Sequence, residues 1–269
     1  MQYTPLPIRR ARDYHLYAQN GKRYLDLYLG GGRALLGHKP RGLYKTLKNE
    51  MQKGLLAEVP AAHERRFEKA LLRLTAAAAA GNFRLKVYAS FDRALAAAAR
   101  LLGRPLQEKD IREPFFTVSG DAPAACFRPC VKADYSRFEI LLPVLPFPGN
   151  FAPQPLLVKE GFAPLLYAAE TGDAVSPVLL AGLTQLTEEL QTKAEFPDIW
   201  KEWRLRGWVR FGCYCFPGPV ETENYARIVS RFLEAGVIIS PDPERPTLLP
   251  RLFSPGERRL VERLFSETV

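Results

Sequence analysis

Residues 14–40 read YHLYAQNGKRYLDLYLGGGRALLGHKP, and the path this stretch must take decides how the rest of the chain is read. Tyr14, Leu16 and Tyr17 precede the polar turn Gln19-Asn20-Gly21-Lys22, and Tyr24, Leu25, Leu27, Tyr28 and Leu29 follow it. Asn-Gly between two apolar runs predicts a hairpin, both residues taking the positive φ of a type I′ turn. Gly30-Gly31-Gly32 then removes side chains where the backbone has to turn sharply or approach another group closely. Leu36-Gly37-His38-Lys39-Pro40 closes the stretch, and the proline is placed to open a helix near Arg41.

Downstream, Leu43, Tyr44, Leu47 and Met51 recur three to four residues apart, as on one face of a helix. Residues 63–79 continue that period through His63, Phe67, Leu71, Leu72 and Leu74, and Gly81 is a candidate C-cap. Residues 84–89 (RLKVYA) alternate like a strand. Residues 90–102 (SFDRALAAAARLL) then predict a helix with Ser90 as N-cap and Gly103 as stop. This is a βα unit. From residue 105 to 175 prolines are frequent, with strands predicted at 115–118, 138–142 and 156–158. The C-terminal third reads as a helix opened by Ser176-Pro177, an aromatic and basic stretch at 196–207, and a strand at 208–216. A helix at 224–235, a strand at 237–239 and a helix starting at Ser254-Pro255 complete it.

With 269 residues, 47% of them hydrophobic, the chain can bury a core of one large or two small domains. It has no apolar run of about 18 residues, which excludes a membrane-spanning helix. Its N-terminal residues lack a secretory hydrophobic region, so the expectation is a cytoplasmic protein. Residues 1–53 carry eleven Lys and Arg against three Asp and Glu, so +8 of the chain's +9 sits there. Such an end suits an anionic small molecule or acidic partner, or else is a solvated helix face (Arg41, Lys45, Lys48, Lys53). Nucleic acid is the minor reading, for no recognition motif and no interleaved aromatics accompany the charge. Cys126 and Cys130, and Cys213 and Cys215, are buried thiols or four ligands of one metal, but they lack the paired C-x2-C spacing of zinc sites. The expectation is no metal.

The order of these pieces resembles the N-terminal segment of the class III, fold-type I aminotransferases, which depend on pyridoxal 5′-phosphate (PLP). That family runs from an aromatic strand through D-x-x-G-x-x-Y-x-D to a glycine cluster and L-G-H-x-x-P. The matching residues are Asn20, Gly21, Tyr24, Asp26, Gly30 to Gly32 and Leu36-Gly37-His38, with Pro40 one residue early. A second match lies at the C-terminus, in Gly236-Val237, Pro241, Leu249-Pro250 and Ser254-Pro255-Gly256-Glu257. The resemblance covers residues 10–103 and 176–266. It implies an α/β, PLP-dependent transferase-like (fold-type I) protein with a reduced large domain and a small C-terminal α/β domain. We divide it into residues 1–60 (small domain and interface), 61–175 (shortened large domain) and 176–269 (small domain).

The same resemblance names candidate site residues. The family's phosphate-binding turn S-G-T-E-A corresponds to Ser90-Phe91-Asp92-Arg93-Ala94, so Ser90 and Arg93 are the cofactor candidates. Phe91 and Asp92 disagree with close backbone approach and with a dianion, and the alternative is that Ser90 is only an N-cap. Lys159, before Gly161-Phe162-Ala163-Pro164-Leu165, is the Schiff-base candidate, or else a surface lysine at a strand end; Lys132 is weaker. The substrate-carboxylate arginine falls on Thr247 in our register, with Arg251 or Arg245 as substitutes. Gly31 and Gly32 would line the substrate side near a homodimer interface. The aromatic element that stacks on the cofactor ring and the aspartate that pairs with its nitrogen have no counterpart here. Two readings follow: a binding or regulatory pseudoenzyme with PLP chemistry lost or residual and the cofactor expected to be absent, which we prefer, or an active PLP-dependent aminotransferase using Lys159.

Overall fold

The computed structural model describes residues 7–54, 62–78, 82–116, 123–149, 152–192, 205–250 and 253–267. In chain order the first elements are β1 (Ile8–Arg12), β2 (His15–Ala18), β3 (Arg23–Asp26), α1 (Leu43–Gln52), α2 (Ala62–Ala78), β4 (Phe83–Tyr88) and α3 (Phe91–Leu102). There follow β5 (Ala124–Phe127), β6 (Ile140–Pro143), β7 (Gln154–Lys159), α4 (Pro164–Ala169) and α5 (Pro177–Thr192). The last are β8 (Trp208–Phe211), β9 (Tyr214–Pro217), α6 (Thr222–Glu234), β10 (Val237–Ile238), β11 (Thr247–Leu248) and α7 (Pro255–Ser266). They fall into two compact units, one of Met1–Pro40 with Glu195–Val269, the other Arg41–Ala194.

In the first unit, β1-β2-β3-β10 form one sheet, antiparallel except that β10 runs parallel to β3. Leu16, Ala18, Tyr24 and Ile238 make its buried face. β1 has no period-2 signal because its register shifts between Ile8 and Arg10. The hairpin is present, but its turn is not type I′. Gly21 alone has positive φ (83°), its N–H donates to the Ala18 carbonyl (3.0 Å), and Ala18 N–H donates to Lys22 O (2.9 Å). This is a three-residue loop ending in a left-handed glycine, and the Asn20 side chain accepts from Lys22 N–H (3.0 Å).

β3 leads into four consecutive left-handed residues, Leu29 (φ 50°), Gly30 (59°), Gly31 (66°) and Gly32 (108°). The three glycines take such a run without the steric penalty that Leu29 bears. What fixes it is Asp26, fully buried, whose carboxylate accepts from the N–H groups of Tyr28 (2.9 Å) and Leu29 (3.0 Å). Its other oxygen lies 2.9 Å from His38 Nε2, and His38 N–H donates to Asp13 O (2.7 Å). The sharp turn expected of the glycines is therefore held by the Asp and His of the same stretch.

The predicted strand at 208–216 is two strands, β8 and β9, folded at Gly212 (φ 58°) with Phe211 opposite Tyr214; β11 extends them into a second sheet. Trp208, Phe232 and Phe265 pack edge to face, with ring centroids 4.8 and 5.2 Å apart, and so join β8, α6 and α7. The start of α7 carries a full capping box between Ser254 and Glu257, whose carboxylate also meets His15 Nε2 at 2.7 Å.

The second unit is built on the sheet β4-β7-β6-β5, antiparallel except for β5 and β6. Residues 154–158 of β7 are all buried, and Pro155 to Val158 form the short continuous apolar run of a central strand. Ala94, Ala97, Ala98 and Leu101 of α3 lie against Tyr88, Ile140, Leu142, Leu156 and Val158. α5 packs on α2 and α1, where Gly182 admits Leu43, Leu47 and Phe147 so closely that an added Cβ would meet them at 2.9–3.2 Å. That packing places α1 and α5 in this unit, so its limits differ from the 60/61 and 175/176 divisions drawn from the sequence. The strand predicted at 115–118 is, at its described residues, a turn at Pro114-Phe115 followed by a bend at Phe116, with a bridge from Arg112 to Ala125 beside it. Thr117, Val118, Gly81 and residues 196–204 lie outside the described residues.

Candidate functional site

β4 ends at Tyr88, and the chain enters α3 through Ala89 and Ser90. Ser90 has extended backbone (φ −148°, ψ 165°), and its hydroxyl accepts from Arg93 N–H at 3.3 Å. Gly103 (φ 65°) closes the helix. Ser90 is thus a working N-cap. The turn it opens presents backbone N–H groups and the positive end of a twelve-residue helix.

That end is met by a carboxylate of the same chain. Asp173 accepts from Ala89 N–H (2.8 Å) and from Arg93 Nε (2.5 Å), and its second oxygen takes Arg93 Nη2. Burial pulls the Asp173 carboxyl up, but Arg93 and Ala89 N–H outweigh it and hold the group below its ordinary value. Two turns along, Glu170 takes Arg100 through Nε (2.5 Å) and Nη2 (3.0 Å), and accepts from the Tyr88 hydroxyl (3.1 Å). Arg100 holds the Glu170 carboxyl low. Burial and the neighbouring Glu170 charge raise Tyr88.

The structure brings Ser90 and Arg93 together at this turn and sets Lys159 elsewhere. Lys159 pairs with Phe83 at the beginning of β4, whereas Ser90 follows its end. Five residues of antiparallel strand separate Phe83 from Tyr88, about 17 Å at roughly 3.4 Å per residue. Lys159 Nζ donates to Ser136 O (2.8 Å) and lies 3.9 Å from Glu139, half exposed. Lys132 is exposed. Gly31 and Gly32 belong to the left-handed turn of the first unit. There Thr247 is buried and accepts from Ser240 N–H (3.0 Å), and Arg245 lies 3.7 Å from Asp242. Arg251 lies outside the described residues. Among those residues no three metal-ligating side chains cluster, and no helix is long and apolar enough to cross a membrane.

Sequence reasoning missed Glu170 and Asp173. Their signal was a spacing, E-x-x-D, that answers the seven-residue step from Arg93 to Arg100. As placed, this turn does not fit a phosphate group, because its guanidinium and one of its N–H donors already hold an anion.

No protein-family model matches the chain. An uncharacterized protein of Borreliella burgdorferi is 47% identical over 60 residues, a match spanning 22% of this chain and 22% of that protein. An uncharacterized protein of Treponema pallidum is 24% identical over 300 residues, covering 91% of this chain and 89% of the relative. Among solved structures, the ornithine δ-aminotransferase of Plasmodium falciparum aligns with TM-score 0.68 at 13% identity, over 100% of this chain and 94% of that one. The glutamate-1-semialdehyde aminomutase of Pseudomonas aeruginosa gives 0.69 at 14% identity, over 100% and 89%. The ornithine aminotransferase of Toxoplasma gondii, described with PLP at its active site, gives 0.65 at 11%, over 100% and 91%. The chain has the mixed α/β fold of the fold-type I, PLP-dependent aminotransferases.

Proposed function

We propose that this protein is an aminotransferase-fold pseudoenzyme, a homodimeric binding or regulatory subunit that does no PLP chemistry. What carries the reading is the separation of Lys159 from Ser90 and Arg93 at opposite ends of β4. A Schiff-base lysine and a phosphate cradle must reach the two ends of one small cofactor, and a strand length keeps these apart. Lys159 is also engaged by Ser136 O and solvated, whereas a reactive lysine needs a desolvated pocket that lowers its pKa. The basic segment of residues 1–53 supports an anionic ligand or partner.

The test is incubation of the purified protein with PLP, a visible spectrum, then borohydride reduction and peptide mapping. The expected result is no discrete absorbance band and no selective label. A band with label confined to Lys159 would replace this reading with an active PLP-dependent aminotransferase.

A further inference from the structure

Arg93 and Arg100 stand seven residues apart on α3, on nearly the same side and about 10.5 Å apart along its axis. Glu170 and Asp173 are three residues apart, and Glu170 already has extended backbone (φ −73°, ψ 123°). Three residues of extended chain cover about 10 Å. The two spans match, and the segment runs opposite to the helix, Glu170 meeting Arg100 and Asp173 meeting Arg93. Asp173 N–H also donates to Val87 O (2.9 Å), which stitches the segment to β4. Segment 170–173 is a strap held at both ends by ion pairs and at Asp173 also by a backbone bond to β4.

We infer that Asp173 is this chain's own anion at the start of α3, and that the strap closes this turn to the phosphate of PLP. A dianion there would displace or abut a carboxylate that is 12% exposed and already bonded to Ala89 N–H and Arg93. Like charges at contact in a partly desolvated site are strongly unfavourable. The inference rests on the aminotransferase-fold reading but not on Lys159, since it concerns only the phosphate end.

The experiment is a ³¹P NMR titration of the intact protein with PLP and, separately, with inorganic phosphate, alongside thermal melts of the wild type and Asp173→Asn. The wild type should give no saturable ³¹P shift with either compound. Asp173→Asn should melt lower by about 2–4 °C, as a lost structural anion requires. A saturable wild-type shift that Arg93→Ala abolishes overturns the inference, and so does an Asp173→Asn melt identical to wild type. A visible band on Lys159 with a ³¹P change that Arg93→Ala leaves intact sinks the pseudoenzyme reading and leaves the closed turn standing.

Discussion

Asp26 shows how much one side chain of the opening stretch has to do. It is fully buried, and its two oxygens hold Tyr28 N–H, Leu29 N–H and His38 around the left-handed turn. Asp26→Ala leaves two backbone donors and an imidazole without that partner in a closed space. It should cost about 2–4 kcal/mol in urea denaturation. Asp26→Asn keeps an acceptor for the N–H groups and should cost less; equal losses would deny the carboxylate this role. The sequence showed Asp26 and His38 as matched letters of a motif. Their bond to one another was illegible, because a contact across twelve residues leaves no local period.

At the scale of elements, what was readable was whatever depends on local chemistry. The α3 start at Ser90 and stop at Gly103, the α7 start at Ser254-Pro255 and the apolar run of β7 all came from caps and periodicity. The strap did not, because its pairs join residues 70 and 80 apart. It should be visible in the acid limb of stability. The Glu170 and Asp173 carboxyls are held below their ordinary values in the native state. Their contribution is therefore full above the unfolded pKa of about 4, and is lost as pH falls through the depressed native values. Arg93, Arg100, Tyr88 and Lys86 are the charged and titratable groups facing them. The stability gap between wild type and Glu170→Gln/Asp173→Asn should close between pH of about 5 and the acid limit; a gap constant with pH would mean the charges contribute nothing. Helix contact gives a second check. Gly182→Ala should gain about 0.5–1 kcal/mol from helix propensity. Against Leu43, Leu47 and Phe147 at 2.9–3.2 Å it should lose about 1–3 kcal/mol, so the variant melts lower.

For the whole molecule, the fold was legible from the order of short motifs at the two ends of the chain, while the limits of its units were not. α5 is apolar along most of its length, and only its packing on α1 and α2 shows which unit it serves. The +8 carried by residues 1–53 predicts how any anionic ligand will behave. Binding of a labelled acidic peptide should weaken steeply as salt rises to about 0.15 M, where the Debye length is about 8 Å. Binding indifferent to salt would exclude an electrostatic origin and, with it, the nucleic-acid reading. The strap has a consequence for lineage. Two arginines two turns apart gauge the length of a facing segment, so outside the buried face of Ala94, Ala97, Ala98 and Leu101 substitutions around them are tolerated while insertions are not. One residue added between Arg93 and Arg100 would swing one guanidinium by about 100° away from its carboxylate. Descendants of this chain should vary in the exposed letters of α3 and keep its length.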